Sequence, residues 1–552
     1  MADESLFNRN LVTLGIRHRE LAAILPEIPA NPDLSIIKSR KGPLVPVLRR
    51  MGHAFPMHSR FDPVSEGNRI AEEAPEGYLI AFGLGGAYHL KALLKKQTVT
   101  GLMVVEKDLS LLRAILELID LTGLLSDSRV LLVIDPTPED LSRIVLDRYL
   151  PVLYGNLGSI TLRSRWDSNP DWFTRRAEAL RGLPEALGRD YTVQTRFGRR
   201  WFVHTILNLS RSEKVSAILP PARRLLITAA GPSLEQQLPE IQEKHSKGAT
   251  LLATDTSLPL LISRGITPDI VISIDCQVVS YHHFLKGLPR STVLVLDLAS
   301  PPVLTRLTDK ILFFSSGHPF SLYLNRLYRP FPILNLSGGN VTHAAVSLAQ
   351  AAGAKEVHLY GADFSYPFGQ AYARGTYIYP YFQSRSERTG SSEDSFWKFI
   401  RGSHPRRESN GEMWRIRTSF MDHYRESLED AAESMNLNLI PAAGSGVPIR
   451  HRHIKKQGST GKSGSVIPLL SAGPITIRWK DFLEDYAGRL ESLPPLNGPP
   501  QDYLAELGTE NRQAWATLLP SAATFRSDSK DGPSSVEDAR KWTLGRIRQI
   551  PR

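Results

Sequence analysis

The stretch RLLITAAGPSL (residues 224–234) decides the fold, together with the apolar runs that follow it. It reads as a buried strand, a turn at Gly231 and the start of a helix. Further strand-like runs follow at short intervals: ATLLATDTS (249–257), PDIVISID (268–275), STVLVLD (291–297), KILFFSS (310–316) and EVHLYGADF (356–364). Helical patterns such as NVTHAAVSLAQAAG (340–353) lie between them. This alternation predicts a Rossmann-type domain with a parallel sheet.

A shorter alternation lies nearer the N-terminus. The run YLIAF (78–82) reads as a buried strand, followed by a glycine turn and a helical pattern. Strands ending at Glu106 and Asp135 follow, with a helix between them. The sequence therefore predicts an α/β fold with two Rossmann-like domains and a C-terminal helical region.

The expected divisions follow shifts in composition and periodicity. They are an N-terminal helical and irregular segment (1–75), a first Rossmann-like domain (76–160), a helical connection (161–222), a central domain (223–450), a basic flexible linker (451–470) and a C-terminal helical appendage (471–552). Residues 366–417 show little periodicity, and a loop of this length inside a compact domain is typical of a functional lid.

The composition is that of an ordinary globular protein, with 552 residues, of which 41% are hydrophobic and 22% charged. The net charge of +11 permits an anionic ligand but does not indicate nucleic acid. The one cysteine, Cys276, excludes a disulfide framework within the chain and a cysteine-rich zinc module. We see no secretory signal and no apolar run near the roughly 18 residues of a spanning helix, so we expect a cytoplasmic protein.

The strongest local signal for a ligand is the turn Gly231-Pro232-Ser233 between a strand and a helix. The free N–H groups and the dipole at a helix N-terminus attract anions, so this turn predicts a phosphate site. The alternative is a well-capped turn, in which Ser233 and Gln236 form a capping box.

Polar side chains also end the next strands. Asp255 and Thr256 follow one strand, and Asp275 follows another. Because ligands of open α/β sheets bind outside the carboxyl ends of the strands, these residues favour a binding crevice. The alternative is that they cap the helices that follow.

A second glycine turn, Ser337-Gly338-Gly339-Asn340, leads into a helix and is a further candidate for holding a nucleotide. Asp363 ends the next strand, just before the tyrosine-rich loop. In that loop Tyr366 and Tyr372 have hydroxyls that can donate to a phosphate.

The N-terminal glycine turn is a weaker candidate for a ligand site. Gly83, Gly85 and Gly86, with Glu106 twenty residues later, resemble a nucleotide or S-adenosylmethionine fingerprint that lacks the full G-x-G-x-x-G. No zinc-binding histidine motif, P-loop at a strand end or nucleophile elbow occurs, so we expect no dedicated metal site.

The order AAGPSL, then ATDTSLPLLISRGITPDIVISID, then LNLSGGNVTHAAVSLAQAAGAKEVHLYGADF is more specific than its parts. It resembles the central domain of the motility-associated factor (Maf) family of flagellin glycosyltransferases, which is related to the archaeal pterin diphosphokinase MptE. HSRFDPVSEGNR (58–69) and LIAFGLGGAYHLKALL (79–94) look like the N-terminal domain of that family. The segment from Trp414 to Ile449 looks like its closing part, so the resemblance covers roughly residues 1–450.

The resemblance implies transfer of a nonulosonic acid, pseudaminic or legionaminic acid, from a CMP-activated donor to Ser or Thr of flagellin in the cytoplasm. The central domain also resembles bacterial sialyltransferases, in which the strand end corresponding to Gly361-Ala362-Asp363-Phe364 lines the donor pocket. The implied roles are contacts to the CMP phosphate (Gly231, Pro232, Ser233), to the rest of the nucleotide (Asp255, Thr256, Asp275, Ser337, Gly338, Gly339, Asn340) and to the reacting groups (Asp363, Tyr366 or Tyr372, with His404 as the general base). The family implies no required cofactor, although Asp255 and Asp275 leave a divalent cation open.

Two other functions stay open from the sequence. One is a pterin-type diphosphokinase that uses ATP in the same crevice. The other is a flagellar assembly factor without catalytic activity. The identity of the nonulosonic acid and the oligomeric state do not follow from the sequence.

Overall fold

The structure is a computed structural model that describes residues 5–50, 52–336, 338–402, 404–410, 413–450, 469–526 and 531–550. It divides into two compact units. The first comprises Met1–Gly198, Leu493–Arg512 and Leu518–Trp542, and the second comprises Arg199–Ser492, Gln513–Thr517 and Thr543–Arg552. Most of the predicted basic linker (451–470), including its Gly/Ser-rich part, lies outside the described residues.

The first unit contains two sheets. Their strands are β1 (Leu34–Lys38), β2 (Leu44–Arg50), β3 (His53–Pro56), β4 (Gly77–Phe82), β5 (Val99–Glu106), β6 (Val130–Ile134) and β7 (Leu157–Thr161). The first three strands form an antiparallel sheet, and the other four form a parallel sheet in the order β6-β5-β4-β7. The parallel sheet confirms the predicted N-terminal α/β domain, whereas the antiparallel sheet within residues 1–75 was not expected from the sequence.

Helices flank these strands. They are α1 (Leu6–Arg17), α2 (Arg19–Ile24), α3 (Pro63–Glu73), α4 (Tyr88–Leu94), α5 (Leu109–Leu118), α6 (Thr122–Leu125), α7 (Pro138–Arg148), α8 (Pro151–Tyr154), α9 (Arg163–Ser168) and α10 (Pro170–Leu180). All six residues of β4 are buried, as expected for a strand covered on both faces. The long helix α11 (Leu183–Lys214) contributes residues to both units.

The second unit is built on a seven-stranded parallel sheet. Its strands are β8 (Arg224–Thr228), β9 (Thr250–Thr254), β10 (Ile270–Ser273), β11 (Val293–Asp297), β12 (Ile311–Phe314), β13 (Glu356–Tyr360) and β17 (Asn438–Pro441). The order is β12-β11-β10-β9-β8-β13-β17, and every neighbouring pair is parallel. The predicted central α/β domain is therefore confirmed.

The helices of the second unit include α12 (Leu234–Ser246), α13 (Leu258–Ser263), α14 (Pro319–Leu327), α15 (Val341–Ala351), α16 (Ile378–Gln383), α17 (Ser392–Arg401) and α18 (Ser419–Ser434). Helix α15 is apolar nearly all round, and eight of its residues are buried against the sheet. Short 3-10 helices follow β10 (Val278–Phe284) and β11 (Pro302–Arg306).

The segment between β13 and α18, residues 361–418, is folded in its described part, which corrects the prediction of a long loop. It contains a small antiparallel sheet, β14-β16-β15, from strands β14 (Tyr366–Pro367), β15 (Arg406–Asn410) and β16 (Met413–Arg417). Helices α16 and α17 belong to the same segment, which we call the insert. A small core of Tyr366, Ala371, Ile400 and Ile416 holds it together, so short elements too irregular for periodicity analysis still fold around shared apolar contacts.

The tail does not form the separate helical appendage that the sequence predicts. Its helices are α19 (Trp479–Ser492), α20 (Pro500–Glu506), α21 (Thr509–Ala516), α22 (Leu519–Phe525) and α23 (Gly532–Arg548). In the second unit the ring of Tyr486 lies 5.2 Å from that of Phe320. In the first unit Asp502 pairs with Arg17 at 2.5 Å, so tail residues complete both units.

No helix among the described residues is both long enough and apolar enough to cross a membrane.

Candidate functional site

The second sheet has a switch point between β8 and β13. From β8 the chain adds β9 to β12 on one side, and then returns to place β13 on the other side of β8. The loops after β8 and β13 therefore diverge and leave a crevice at their carboxyl ends, where open α/β sheets bind ligands. A cavity of about 190 Å³ lies there.

This cavity brings together several of the predicted residues. Gly231, Thr256, Asn340, Asp363 and Tyr372 line it. Residues that the sequence analysis did not single out also line it: Thr254, Thr342, Ser365, Met421 and Tyr424. Helix α18 supplies the last two, and nothing in its regular helical pattern marks them as ligand contacts.

Asp363 links the two loops of the switch point. The Ser233 N–H donates to its Oδ2 at 2.9 Å, and the Ser233 hydroxyl donates to its Oδ1 at 2.5 Å. The N–H of Ser445, in the loop after β17, donates to the Ser233 hydroxyl at 2.9 Å. Burial raises the pKa of the Asp363 carboxyl, although the bonds from Ser233 act in the opposite direction.

These contacts correct the expected capping box. The Ser233 side chain makes no cap bond to α12, because its hydroxyl donates to Asp363 instead. The carboxylate of Asp363 stands where a bound anion would meet the Ser233 N–H at the start of the helix. Gly231 approaches so closely that a Cβ there would lie 2.5 Å from the Gly361 carbonyl oxygen. Pro232 and Ser233 are buried and do not line the cavity.

Two tyrosines provide hydroxyls at the cavity. The Tyr372 hydroxyl makes no hydrogen bond to any described residue, and the Tyr424 hydroxyl donates to the Gly339 carbonyl at 3.3 Å. Burial raises the pKa of Tyr372 above its ordinary value and raises that of Tyr424 to about 12. Both hydroxyls are therefore protonated at neutral pH and can donate hydrogen bonds.

The second glycine turn lies at the start of α15. The Asn340 side chain caps this helix and accepts from the N–H groups of Thr342 and His343. Gly338 packs directly on the His343 ring, so any larger residue would collide with it. His343 is buried, which lowers its pKa to about 4, and neither ring nitrogen has a hydrogen-bond partner among the described residues. Ser337 lies outside the described residues.

Asp255 and Asp275 lie at neighbouring strand ends, as predicted. Asp255 is buried and accepts from the Thr256 N–H at 2.6 Å and from the Ser273 hydroxyl at 2.6 Å. Burial raises the pKa of Asp275, and the negative charge of Asp255 raises it further. Within the described residues, no three or more His, Cys, Asp or Glu side chains come together as a metal-binding group.

Two predicted catalytic residues lie outside the cavity lining. Tyr366 is buried in the core of the insert, and its ring lies 6.4 Å from that of Phe399. His404 is exposed between α17 and β15 and has a φ of 48°. A second histidine, His283, was not among the predicted site residues, and its ring lies 4.4 Å from that of Tyr377.

The N-terminal glycine turn is filled by the protein itself. Glu106 is fully buried and accepts from the Leu84 N–H at 3.1 Å and from two nitrogens of Arg165 at 2.9 and 2.7 Å. Side chains of Arg165, Leu162 and His58 pack against Gly83, Gly85 and Gly86. The carboxylate that would hold a ribose is thus paired with a buried guanidinium, which favours a structural role for this turn.

Comparison with known proteins gives a family match for each of the two α/β domains. Residues 51–160 match the family described as "Glycosyltransferase Maf N-terminal domain". Residues 202–369 match the family described as "6-hydroxymethylpterin diphosphokinase MptE-like". The Maf glycosyltransferase from Magnetospirillum magneticum AMB-1 has a similar fold, with a TM-score of 0.55 at 14% identity, over 98% of this chain and 95% of that one.

Two uncharacterized proteins of Treponema pallidum (strain Nichols) are also similar. One is 30% identical over 166 residues, which is 30% of this chain and 79% of that protein. The other is 28% identical over 151 residues, which is 27% of this chain and 54% of that protein. The chain thus spans about half the length of the second relative.

The fold and site define a protein with two parallel α/β domains and a ligand cavity at the switch point of the second. A Maf-type N-terminal domain followed by an MptE-like domain is the combination that the sequence motifs predict. The chain belongs to the Maf glycosyltransferase family, which supports a role as a glycosyltransferase.

Proposed function

We propose that this glycosyltransferase transfers a nonulosonic acid from a CMP-activated donor to Ser or Thr hydroxyls of flagellin, in the cytoplasm before export. Family membership supports the reaction class. The donor and the acceptor rest on the resemblance of the sequence motifs to flagellin-modifying members. The observation that carries the proposal is the cavity at the switch point, with the Tyr372 and Tyr424 hydroxyls on its wall.

The transfer requires stabilisation of the departing phosphate. The bond between the anomeric carbon and the CMP phosphate oxygen breaks, CMP leaves with the electron pair, and the acceptor oxygen bonds to the anomeric carbon. Among the described residues lining the cavity there is no Lys, Arg or His. The developing charge would therefore be met by neutral donors, chiefly the hydroxyls of Tyr372 and Thr342, since Tyr424 already donates its proton to the Gly339 carbonyl.

The size of the cavity limits what it encloses. Its volume of about 190 Å³ is below the roughly 300–1,000 Å³ of sites that enclose a drug-sized ligand. It would enclose the phosphate and part of one neighbouring sugar, while the rest of the donor lies along the open mouth. Asp255 and Asp275 would face the nucleotide from the next strand ends.

The acceptor hydroxyl must lose its proton during transfer. Among the described residues, Asp363 is the one carboxylate that lines the cavity, and it already accepts from Ser233 through both oxygens. His404 remains the proposed base, since it lies in the insert that also carries Tyr372. No cofactor is proposed for this step. EDTA should leave transfer unchanged, and a loss restored by Mg²⁺ would instead assign a cation to Asp255 and Asp275.

Ligand-dependent thermal unfolding tests the donor. CMP and CDP should raise the unfolding temperature of the full chain, because a ligand that binds only the native state stabilises it in proportion to its occupancy. ATP should not. The match to an MptE-like family makes ATP the alternative nucleotide, and stabilisation by ATP with magnesium in place of CMP would reject the proposed donor.

The acceptor is tested by the mass of flagellin isolated with and without this protein. A loss of mass equal to one or more nonulosonic acid residues is expected when the protein is absent. An unchanged flagellin mass would contradict the acceptor while leaving the donor test unaffected. Indifference of the protein to every nucleotide, together with unchanged flagellin, would favour a non-catalytic assembly factor.

A further inference from the structure

The insert presents large aromatic side chains to solvent. The exposed fractions are 48% for Phe368, 41% for Trp397, 40% for Phe399 and 53% for Phe420. Three of these rings lie in the insert, and Phe420 lies next to it in the first turn of α18. Such a group is unusual, because soluble proteins rarely expose contiguous apolar patches without a binding role. Together with Trp414, Arg401 and Arg407 we call these residues the aromatic–arginine surface.

Neighbouring contacts join the central rings into one patch. The ring of Phe368 lies 6.2 Å from that of Trp414. A Cβ placed on Gly369 would lie 3.1 Å from the Trp414 ring and 3.7 Å from the Trp397 ring. Gly369 thus lets two tryptophans from α17 and β16 meet over the backbone next to Phe368.

The same surface reaches the wall of the cavity at two points. The ring of Phe399 lies 6.0 Å from that of Tyr372, and the ring of Phe420 lies 4.4 Å from that of Tyr424. Both tyrosines line the cavity. A partner lying on the aromatic–arginine surface would therefore sit next to the reacting groups.

The positive charge of this surface indicates which kind of partner would bind it. Arg401 lies 5.6 Å from the Trp397 ring centre, and Arg407 lies 4.8 Å from that of Trp414. Neither guanidinium pairs with a carboxylate in the part of the chain that the structure describes. By contrast, Arg417 of the adjacent strand pairs with Asp422 at 2.5 Å. Stacked arginines without carboxylate partners favour acidic groups on whatever covers these rings.

We propose that the aromatic–arginine surface binds an acidic, apolar-rich stretch of the acceptor polypeptide and so delivers its hydroxyl to the cavity. This inference rests on the proposed function in taking the acceptor to be a protein. Aromatic and Arg side chains are also the types that dominate binding energy at protein interfaces.

The test measures peptide binding to the full chain by fluorescence anisotropy, without donor. The probe is a labelled synthetic peptide in which Asp and Glu alternate with Leu and Phe around one Ser; its counterpart has Lys at each acidic position. The acidic peptide should bind at least about tenfold more tightly than the lysine peptide, and R401E together with R407E should remove that preference. Trp397→Ala should weaken binding of the acidic peptide, and Arg264→Glu, an exposed charge reversal in the loop before β10, should not.

Several results would overturn the inference. They are equal binding of the two peptides, unchanged binding by the R401E/R407E variant, preference for anionic phosphatidylglycerol vesicles over the acidic peptide, or a self-association in sedimentation that Trp397→Ala abolishes. Because peptide binding is measured without donor, failure of CMP to bind would contradict the proposed function alone. Failure of the peptide tests would contradict the surface alone.

Discussion

Asp363 holds Ser233 through both of its carboxylate oxygens, with N···O and O···O distances of 2.9 and 2.5 Å. One side chain thus fastens the turn after β8 to the strand end after β13, across the point where the sheet reverses its order. The hydrogen bonds between Ser233 and Asp363 shape the crevice, so two residues that the family resemblance assigns to the ligand instead stabilise the protein's own structure. The wall of the cavity depends on these bonds.

Gly231→Ala should damage this arrangement. The new Cβ would meet the Asp363 carboxylate and the Gly361 carbonyl, both fixed, and overpacking of this kind costs about 1–3 kcal/mol. We expect a lower unfolding temperature and loss of CMP-dependent stabilisation. Gly390→Ala is the matched control, since a Cβ at Gly390 meets nothing within 4 Å. Equal unfolding temperatures for the two variants would refute the close packing at Gly231.

Asp297→Asn should change the pH dependence of stability. Asp297 is 3% exposed, its Oδ1 accepts from the Ala299 N–H, and burial raises its pKa to about 6. A carboxyl with a raised pKa in the folded state costs stability once it ionises. The wild-type protein should therefore lose about 3 kcal/mol relative to the Asn variant as the pH rises from about 4 to above 6.

Thermal unfolding of both proteins across that pH range measures the difference. Asp309→Asn is the control, because the Asp309 side chain is 88% exposed. Parallel pH profiles for wild type and Asp297→Asn would show that Asp297 ionises as an ordinary carboxyl.

Glu106→Ala tests the structural role of the N-terminal glycine turn. Among the described residues it would leave the fully buried Arg165 with only Asp108 as an ionic partner, and breaking a buried pair costs about 3–5 kcal/mol. Glu185→Ala, which removes an exposed i,i+4 pair with Arg189, should cost under about 1 kcal/mol. Urea unfolding gives both values. A Glu106 variant that stays stable but loses nucleotide binding would instead assign a ligand to this turn.

Tyr372→Phe should slow transfer while leaving the protein folded. Removing one hydroxyl donor that stabilises a developing anion typically costs about 10²–10³ in kcat. Because burial keeps the pKa of Tyr372 above its ordinary value, its donor role should not titrate near neutral pH. Release of CMP in the presence of flagellin measures the rate, and Tyr281→Phe, outside the cavity lining, is the control. A kcat within twofold of wild type would remove Tyr372 from the reaction.

A pair of histidine variants tests His404 as the base, with His283 as the comparison. His404→Gln should lower kcat by about 10²-fold or more if His404 takes the acceptor proton, and the acid limb of the pH–rate profile should disappear. His283→Gln, next to Tyr377, should leave that limb in place. The opposite result, with only His283→Gln losing the limb, would transfer the role of base to His283.

The alternating strands and helices of both sheets follow from the sequence, because buried parallel strands are continuous apolar runs such as those of β4 and β11. The fold of the insert does not follow from the sequence, because its strands are short and its small core takes single, irregularly spaced residues: Tyr366, Ala371, Ile400 and Ile416. Contacts of this kind leave no periodic signal.

Only part of the candidate site could be predicted, because some of its residues reach the cavity through tertiary packing that leaves no sequence pattern. Gly231, Asn340 and Asp363 stand at strand and helix ends, where a sequence can mark them. Tyr424 and Met421 reach the cavity from the first turns of α18, and only the docking of that helix brings them there. The hydrogen bond between Ser233 and Asp363 could not be predicted from the sequence either, since 130 residues separate the two.

The division of the tail between the two units sets the order in which the protein can mature during synthesis. The first unit draws on Leu493–Arg512 and Leu518–Trp542, so its contacts cannot be completed while the ribosome is still adding residues of the second unit. Arg526, for example, donates to the Val152 carbonyl, which was made 374 residues earlier. Until then both nascent units expose apolar surface that will later be covered. This long interval makes the emerging chain a substrate for chaperones and vulnerable to early termination.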